Sequence, residues 1–209
     1  MVIAMIGAGF TGPWVAAITS QLRRIEGWSV LVLTQFAMGA LLVLEFILFI
    51  MFWEVAAFRP ERSDESIQMI NDLGWIPFIG LTSTAIIQAC VIAAIILRDK
   101  SPVPVLPRWS AFFNIWVGLA FVPGSWNCLF KTGPIAWNGV FSFYIAMVAF
   151  MTWYLVNSYV VLRATKRQEQ EALAGDSSAP PDATHSLERL AAEVAELREQ
   201  IARDRPVTR

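Results

Sequence analysis

Five apolar stretches run through the chain up to residue 162, and each is close to the length that crosses a lipid bilayer. A transmembrane helix needs about 20 predominantly apolar residues, because the hydrocarbon core of the bilayer is about 30 Å thick. Hydrophobic residues make up 56% of the chain and charged residues only 16%, whereas soluble domains carry about 45–50% and about 25%. The sequence therefore predicts an all-α, five-span transmembrane helical bundle at residues 1–162, with spans at about 2–22, 30–58, 73–97, 109–130 and 135–162.

Near the start, Gly7, Gly9 and Gly12 have the spacing of a dinucleotide-binding fingerprint. That fingerprint requires a following strand that ends in an acidic residue, which would hold the ribose. The corresponding place falls near Thr34 and Gln35, and the apolar run continues well beyond them. We therefore interpret the glycines as part of a helix, in which small residues four positions apart form a stripe for close helix packing: Ala4, Ala8, Gly12 and Ala16.

Basic residues alternate in number between the segments that connect the apolar stretches. Eight of them follow the first, third and fifth stretches: Arg23, Arg24, Arg98, Lys100, Arg108, Arg163, Lys166 and Arg167. Three follow the second and fourth stretches: Arg59, Arg62 and Lys131. By the positive-inside rule, this alternation predicts five spans with the N-terminus outside and the C-terminus in the cytoplasm.

The fourth stretch is interrupted by Pro123, Gly124 and Ser125. Proline removes a backbone donor and kinks or breaks a helix. A re-entrant hairpin here would place the basic C-terminal segment on the opposite side of the membrane. We therefore expect a kinked helix that continues through Phe130, because this arrangement preserves the alternation of charge.

Four short segments resemble an uncharacterised family of multi-pass membrane proteins of actinobacterial type: Phe58–Arg62, Asn71–Trp75, Pro107–Trp109 and Gly133–Gly139. The resemblance covers the apolar part of the chain and not the tail. It implies a multi-pass architecture and a location in the bacterial inner membrane. It transfers no catalytic or binding residues to this chain.

Polar residues dominate after residue 162. Residues 163–185 are predicted to form a polar helix extension and a linker rich in Pro and Ser, and residues 186–204 a short cytoplasmic coiled-coil helix. Apolar residues recur there at spacings of three and four, as in a heptad seam: Leu187, Leu190, Val194, Leu197 and Ile201. The seam predicts a homo-oligomer, and a hetero-partner with its own heptads would fit the same pattern. A solvated helix is the alternative, since isolated helices shorter than about 12–15 residues are marginal.

Few side chains in the apolar part of the chain are suited to catalysis. The single histidine, His185, lies in the tail, and no nucleophile elbow, phosphate loop or metalloprotease motif occurs. No basic cluster indicates a nucleic-acid partner, and the predicted environment is the lipid bilayer. We therefore expect neither a cofactor nor a catalytic site.

Glu45 lies within the otherwise apolar run Leu41–Phe49. An acidic residue at the centre of a membrane helix costs about 2.5–3.5 kcal/mol on insertion scales, so it should face the bundle interior and find a partner. Polar residues on the same helix face or at similar depth are Thr34, Thr84, Gln88 and Thr152. We expect a buried polar layer that either locks helix register through hydrogen bonds or relays protons or cations.

Three functions are compatible with this pattern. The first is a non-enzymatic oligomeric component or scaffold of a membrane assembly. The second is a small transporter or channel that uses Glu45 for proton or cation coupling. The third is a membrane enzyme with a metal site at the outer face, which would require Glu61, Asp64, Glu65 and Asp72.

Leu190→Asp combined with Leu197→Asp places two charges in the heptad seam and leaves the apolar stretches unchanged. We expect normal membrane insertion and smaller oligomers in detergent, because carboxylates cannot be buried between apolar seam residues without a large cost. Size-exclusion chromatography with light scattering measures the difference. An unchanged oligomer size would mean that the heptads do not drive assembly.

Overall fold

The computed structural model describes residues 2–177 and 193–194, and every regular element in them is helical. In chain order the elements are α1 (Val2–Glu26), α2 (Val30–Phe58), α3 (Asp64–Gly80), α4 (Ser83–Arg98), α5 (Arg108–Phe121), a 3-10 helix (Val122–Leu129), a π-helical turn (Val140–Ile145) and α6 (Ala146–Ser177). The predicted all-α class is confirmed. The glycine motif at residues 7–12 lies inside α1 and does not join a strand to a helix.

Three helical stretches of the described residues are long and apolar enough to cross a membrane: Val30–Phe58, Asp64–Arg98 and Val140–Ala174. On α2, large apolar side chains are roughly half exposed along one side of the helix: Leu33, Leu44, Leu48 and Met51. A continuous exposed apolar face is unusual in a soluble monomer and is the ordinary surface of a helix in lipid. The chain is therefore a membrane protein.

The segment predicted as the fourth span is not a single kinked α-helix. α5 ends at Phe121 after 14 residues, and the chain continues as a 3-10 helix through Leu129. Pro123 occupies the start of this 3-10 helix. Because proline has no N–H and its ring clashes with the preceding turn, the α-helical hydrogen-bond pattern cannot pass through it. The expected kink is therefore a change of helix type.

α1 packs against its neighbours through larger side chains than the predicted small-residue stripe. Val15, Ile18 and Leu22 are 3%, 1% and 0% exposed, and they follow one face of the helix. Of the four predicted stripe residues, only Ala8 is buried; Ala4 and Ala16 are exposed, and a Cβ added at Gly12 would meet nothing within 4 Å. The stripe prediction is thus corrected, because large apolar residues three and four positions apart fill the interface.

The close approach between α1 and α2 depends instead on Gly39 of α2. A Cβ at Gly39 would collide with the side chain of Val15 and would come within 2.9 Å of Nε2 of Gln88. Gly39 therefore allows α1, α2 and α4 to meet at one level of the bundle. This junction contains the buried polar groups that are described below.

The apolar core lies between α1, α2, α4, α5 and α6. Trp153 of α6 is fully buried at its centre, with ring centroids 5.1 Å from Trp14, 6.0 Å from Phe150 and 6.5 Å from Phe121. Edge-on and tilted aromatic pairs at these distances contribute beyond the area that they bury. Trp153 therefore links the first and last helices of the bundle.

Asp99 organises the loop between α4 and α5. Its carboxylate accepts hydrogen bonds from the backbone N–H of Ser101 at 3.0 Å and of Val105 at 2.8 Å, and from the Ser101 hydroxyl. Burial opposes ionisation of the carboxyl group, but these hydrogen bonds and the charge of Arg108 outweigh it and hold the pKa of Asp99 below its ordinary value. The ionised form of Asp99 therefore stabilises the loop.

The described residues beyond Thr165 belong to a second unit of the chain. In it, Arg167 Nε lies 3.3 Å from Glu171 Oε1, an i,i+4 pair along α6. Residues 193 and 194 are helical, and Val194 is 49% exposed. The other predicted seam residues, Leu187, Leu190, Leu197 and Ile201, lie outside the described residues, so the coiled coil remains a prediction.

Asp99→Asn should destabilise the protein at neutral pH by about 1–2 kcal/mol, since hydrogen bonds to a charged acceptor are the stronger kind. The pKa of Asp99 is lower in the folded protein than in the unfolded chain. Ionised Asp99 therefore stabilises the folded state at pH values above the unfolded-state pKa, and this contribution is lost as the pH falls through the folded-state pKa. The difference between wild type and Asp99→Asn should therefore shrink below about pH 4. Thermal unfolding in detergent across this pH range measures it, and a difference that does not change with pH would contradict the assignment.

Candidate functional site around Glu45

Glu45 is only 6% exposed on the inner face of α2. The Thr84 hydroxyl of α4 donates a hydrogen bond of 2.9 Å to Oε2 of Glu45. Thr84 is itself buried. The expected pairing of the Glu45 carboxyl group with a polar group of the neighbouring helix is therefore present in the structure.

Glu45 lines a pocket of about 130 Å³ that lies between α2, the α3–α4 junction, the end of α5 and the beginning of α6. Seven of its fifteen lining residues are aromatic or methionine: Phe46, Phe78, Phe121, Phe143, Phe150, Met147 and Met151. Polar side chains in the lining belong to Glu45, Thr82 and Ser142. An apolar cavity of about 150 Å³ holds a molecule the size of benzene, so the pocket suits a small apolar body with one polar group.

The helical stretch Asp64–Arg98 breaks beside this pocket. α3 ends at Gly80, and Leu81 has φ −83° and ψ 63°, outside the helical region. The side chain of Asn127 in the 3-10 helix donates a 2.8 Å hydrogen bond to the carbonyl oxygen of Ile76 near the end of α3. The Thr82 hydroxyl pairs with the Ser125 hydroxyl. Polar groups of the 3-10 helix thus support the broken segment.

The 3-10 helix fits against the break because Gly124 has no side chain. A Cβ at Gly124 would lie 2.7 Å from the carbonyl oxygen of Ile79 and 2.9 Å from Cγ2 of Thr82. No other residue can occupy this position without moving the two segments apart. Gly124 is therefore a packing requirement of the pocket rim.

The π-helical turn Val140–Ile145 forms another side of the pocket. Its Ser142 is fully buried, with Oγ 2.7 Å from the carbonyl oxygen of Ile135 and 3.2 Å from that of Pro123. π-helical turns are rare and occur frequently at functional sites. Three interruptions of α-helical geometry therefore meet at the pocket that contains Glu45.

The predicted polar layer forms only in part. Gln88 is fully buried, as expected, but neither Oε1 nor Nε2 of its side chain has a hydrogen-bond partner among the described residues. Thr34 and Thr152 do not join Glu45: their hydroxyls donate to the carbonyl oxygens of Val30 and Val148, four residues earlier in their own helices. Thr152 is also exposed. Both assignments are corrected, because a threonine can satisfy its hydroxyl on its own helix.

Gln35 is a buried polar residue that the sequence analysis did not assign to the layer. It is fully buried, and its Oε1 lies 2.7 Å from the hydroxyl of Thr19 on α1. The same hydroxyl lies 2.8 Å from the carbonyl oxygen of Val15. Nε2 of Gln35 has no partner among the described residues. A glutamine within an apolar stretch is the signal that could have identified it.

A separate polar cluster ties α5 to α6. The indole N–H of Trp153 donates a 2.6 Å hydrogen bond to Oδ1 of Asn114, and Nδ2 of Asn114 donates to the Ser110 carbonyl at 2.7 Å. Asn114 Nδ2 also lies 3.3 Å from Oδ1 of Asn157, whose own Nδ2 donates 2.9 Å to the carbonyl of Trp153. These groups satisfy one another within the core, so the cluster is structural.

The acidic residues predicted at the outer face do not form a metal-binding group. Asp64 and Glu65 lie in the first turn of α3, where negative charge interacts favourably with the helix dipole. Glu61 precedes the helix and Asp72 lies two turns further along it. Across residues 2–177 and 193–194, no three His, Cys, Asp or Glu side chains come together in a way that could hold a metal.

Comparisons with known proteins give this site no precedent. No protein-family model, curated protein or solved structure matches the chain.

Proposed function

We propose that this chain is a small membrane transporter in which the pocket around Glu45 binds a largely apolar molecule and Glu45 is the coupling carboxyl group. The observation that carries this proposal is the meeting of three helix interruptions at a pocket that contains a single acidic residue. Irregular backbone within a membrane is tolerated where it is buried in protein or lines a cavity. In transporters, broken helices of this kind form the binding site.

A purely structural role for Glu45 accounts for less of this geometry. Register locking needs the hydrogen bond between Thr84 and Glu45 and nothing more. The Asn114 and Asn157 cluster already joins neighbouring helices with mutually satisfied groups and no titratable side chain. A carboxyl group beside an apolar pocket is therefore better explained by binding and coupling than by stability.

The proposed topology has five crossings, with residues 59–63 outside and residues 27–29 and 99–107 in the cytoplasm. The ion pair between Arg98 and Glu26, at 3.2 Å, supports placing the first and third connections at the same end of the bundle. α5 and the 3-10 helix together would extend about 37 Å at about 1.5 and 2.0 Å per residue. That length suffices for a crossing, as the five-span topology requires.

A reporter fused after Leu162 should lie on the cytoplasmic side of the membrane, and a reporter inserted at Ser63 should lie on the external side. With the N-terminus outside, Ser63 follows two crossings and Leu162 completes five, and the excess of basic residues lies on the cytoplasmic side. Paired alkaline phosphatase and fluorescent protein fusions distinguish the two sides. A periplasmic signal after Leu162 would contradict five crossings.

Glu45→Gln should keep the fold and abolish proton flux in proteoliposomes, because the amide keeps the size and hydrogen-bonding capacity of the side chain and has no exchangeable acidic proton. Glu45→Leu should abolish proton flux as well, and it should lower the free energy of unfolding by about 1 kcal/mol or less, the scale of one interhelical hydrogen bond in a membrane. A pH-sensitive dye inside the vesicles measures flux under an imposed pH gradient. Thermal unfolding in detergent measures stability.

The matched control is Glu54→Gln, a half-buried carboxyl group on the same helix that does not line the pocket. It should leave flux at the wild-type rate. Wild-type flux that persists in Glu45→Gln would contradict the coupling role. Wild-type vesicles that conduct no faster than empty ones would contradict transport itself.

A further inference from the structure

Two fully buried glutamines lie between the pocket and the end of the bundle formed by residues 27–29. Gln88 Oε1, Gln88 Nε2 and Gln35 Nε2 have no hydrogen-bond partner among the described residues, and both side chains are 0% exposed. A buried amide group without a partner is costly, and buried water molecules commonly supply the missing bonds. Water bound beside these three atoms would supply their missing hydrogen bonds.

The two glutamines continue the polar contact of Glu45 along the bundle. Gln88 follows Thr84 by one turn of α4, so its side chain lies on the same face. A Cβ at Gly39 would lie 2.9 Å from Nε2 of Gln88, which places this amide group beside α2 one to two turns from Glu45. Gln35 precedes Gly39 by one turn of α2 and reaches Thr19 of α1 at 2.7 Å.

The order of polar groups is therefore Glu45 with Thr84, then Gln88, then Gln35 with Thr19. The ten residues from Gln35 to Glu45 correspond to about 15 Å along a helix axis, half the thickness of a hydrocarbon core. Beyond Gln35, Gln21 accepts a 3.0 Å hydrogen bond from Arg24, close to the end of α1. The polar series thus leads from the pocket towards the connection at residues 27–29.

We propose that Gln88 and Gln35 hold water molecules that carry protons between Glu45 and the end of the bundle at residues 27–29. This route rests on the proposed coupling role of Glu45 and names the proton as the coupled ion. Glu45 lines the apolar pocket, and the amide groups of the two glutamines lie on the side of Glu45 that faces residues 27–29. In this proposal, Glu45 is therefore the group at which the bound molecule and the proton route meet.

Along such a route no bond to carbon changes and nothing is oxidised or reduced. A proton added to the first water at the 27–29 end passes its positive charge along successive water O–H bonds, and the last water gives a proton to a carboxylate oxygen of Glu45. The reverse sequence returns it. The amide groups neither accept nor release the proton. They hold the waters in place through the donor Nε2 of each glutamine and the acceptor Oε1 of Gln88, while Oε1 of Gln35 lies against the Thr19 hydroxyl.

The experiment follows hydrogen–deuterium exchange at the Glu45 carboxyl group by time-resolved infrared spectroscopy after mixing the detergent-solubilised full chain with D₂O. Glu45→Gln identifies the carboxyl band by its disappearance. Gln88→Met and Gln35→Met keep an unbranched side chain of similar size and remove the amide group. Each should slow exchange at Glu45 by about tenfold or more, the factor that corresponds to one lost hydrogen bond of about 1.4 kcal/mol.

Gln88→Ser separates the loss of polarity from a change in packing, since it is smaller than glutamine but leaves a hydroxyl group and room for water. It should exchange at least as fast as wild type. Thr152→Val is the matched control, with unchanged exchange expected, because Thr152 lies outside the pocket lining and the polar series and its hydroxyl bonds the carbonyl oxygen of Val148 in its own helix. Wild-type exchange rates in both methionine variants would overturn the route, as would equal slowing in Thr152→Val.

This measurement uses no substrate and no ion gradient. Slow exchange in the methionine variants together with absent proton flux in wild-type vesicles would support the water route and contradict transport. Unchanged exchange together with Glu45-dependent flux would contradict the route alone. The two proposals therefore fail separately.

Discussion

The hydrogen bond from Thr84 to Glu45 is the interaction on which the arrangement of polar groups around the pocket depends. A carboxyl group within an apolar helix loses its hydration, and it needs a partner at the same level of a neighbouring helix. Thr84 meets this requirement at 2.9 Å and so fixes the register of α4 against α2. That register in turn places Gln88 beside Gly39 and sets the α3–α4 break at the edge of the pocket.

The pocket exists because regular helices stop around it. α3 ends at Gly80, α4 begins at Ser83, and α5 ends at Phe121. Pro123 ends the α-helical pattern, Asn127 bonds the carbonyl oxygen of Ile76, and Gly124 lets the two backbones approach closely. The freed backbone groups thus gain partners within the protein, as an apolar environment requires. What remains is an aromatic cavity with one carboxyl group in its wall.

The all-α class and the pairing of Glu45 with Thr84 could be predicted from the sequence. Hydropathy, and the depth of a residue within a membrane span, can both be counted directly along the chain. The inward-facing residues of each helix were harder to predict. Thr34 and Gln35 differ by about 100° around α2, and the structure places Gln35 inside, while Thr34 bonds its own backbone. The position of Ser142 was not predictable, since the π-helical turn that buries it has no local sequence signal and depends on its contacts with Pro123 and Ile135.

Labelling by carbodiimides tests the central claim, a buried carboxyl group that is reached through an apolar pocket, most directly. These reagents add to protonated carboxyl groups, and dicyclohexylcarbodiimide enters apolar sites, whereas a charged, water-soluble carbodiimide does not. After treatment of native membranes, mass spectrometry of proteolytic fragments should find the dicyclohexylcarbodiimide adduct on Glu45 and no adduct there from the charged reagent. Labelling of Glu45 by the charged reagent, or by neither reagent, would contradict the account.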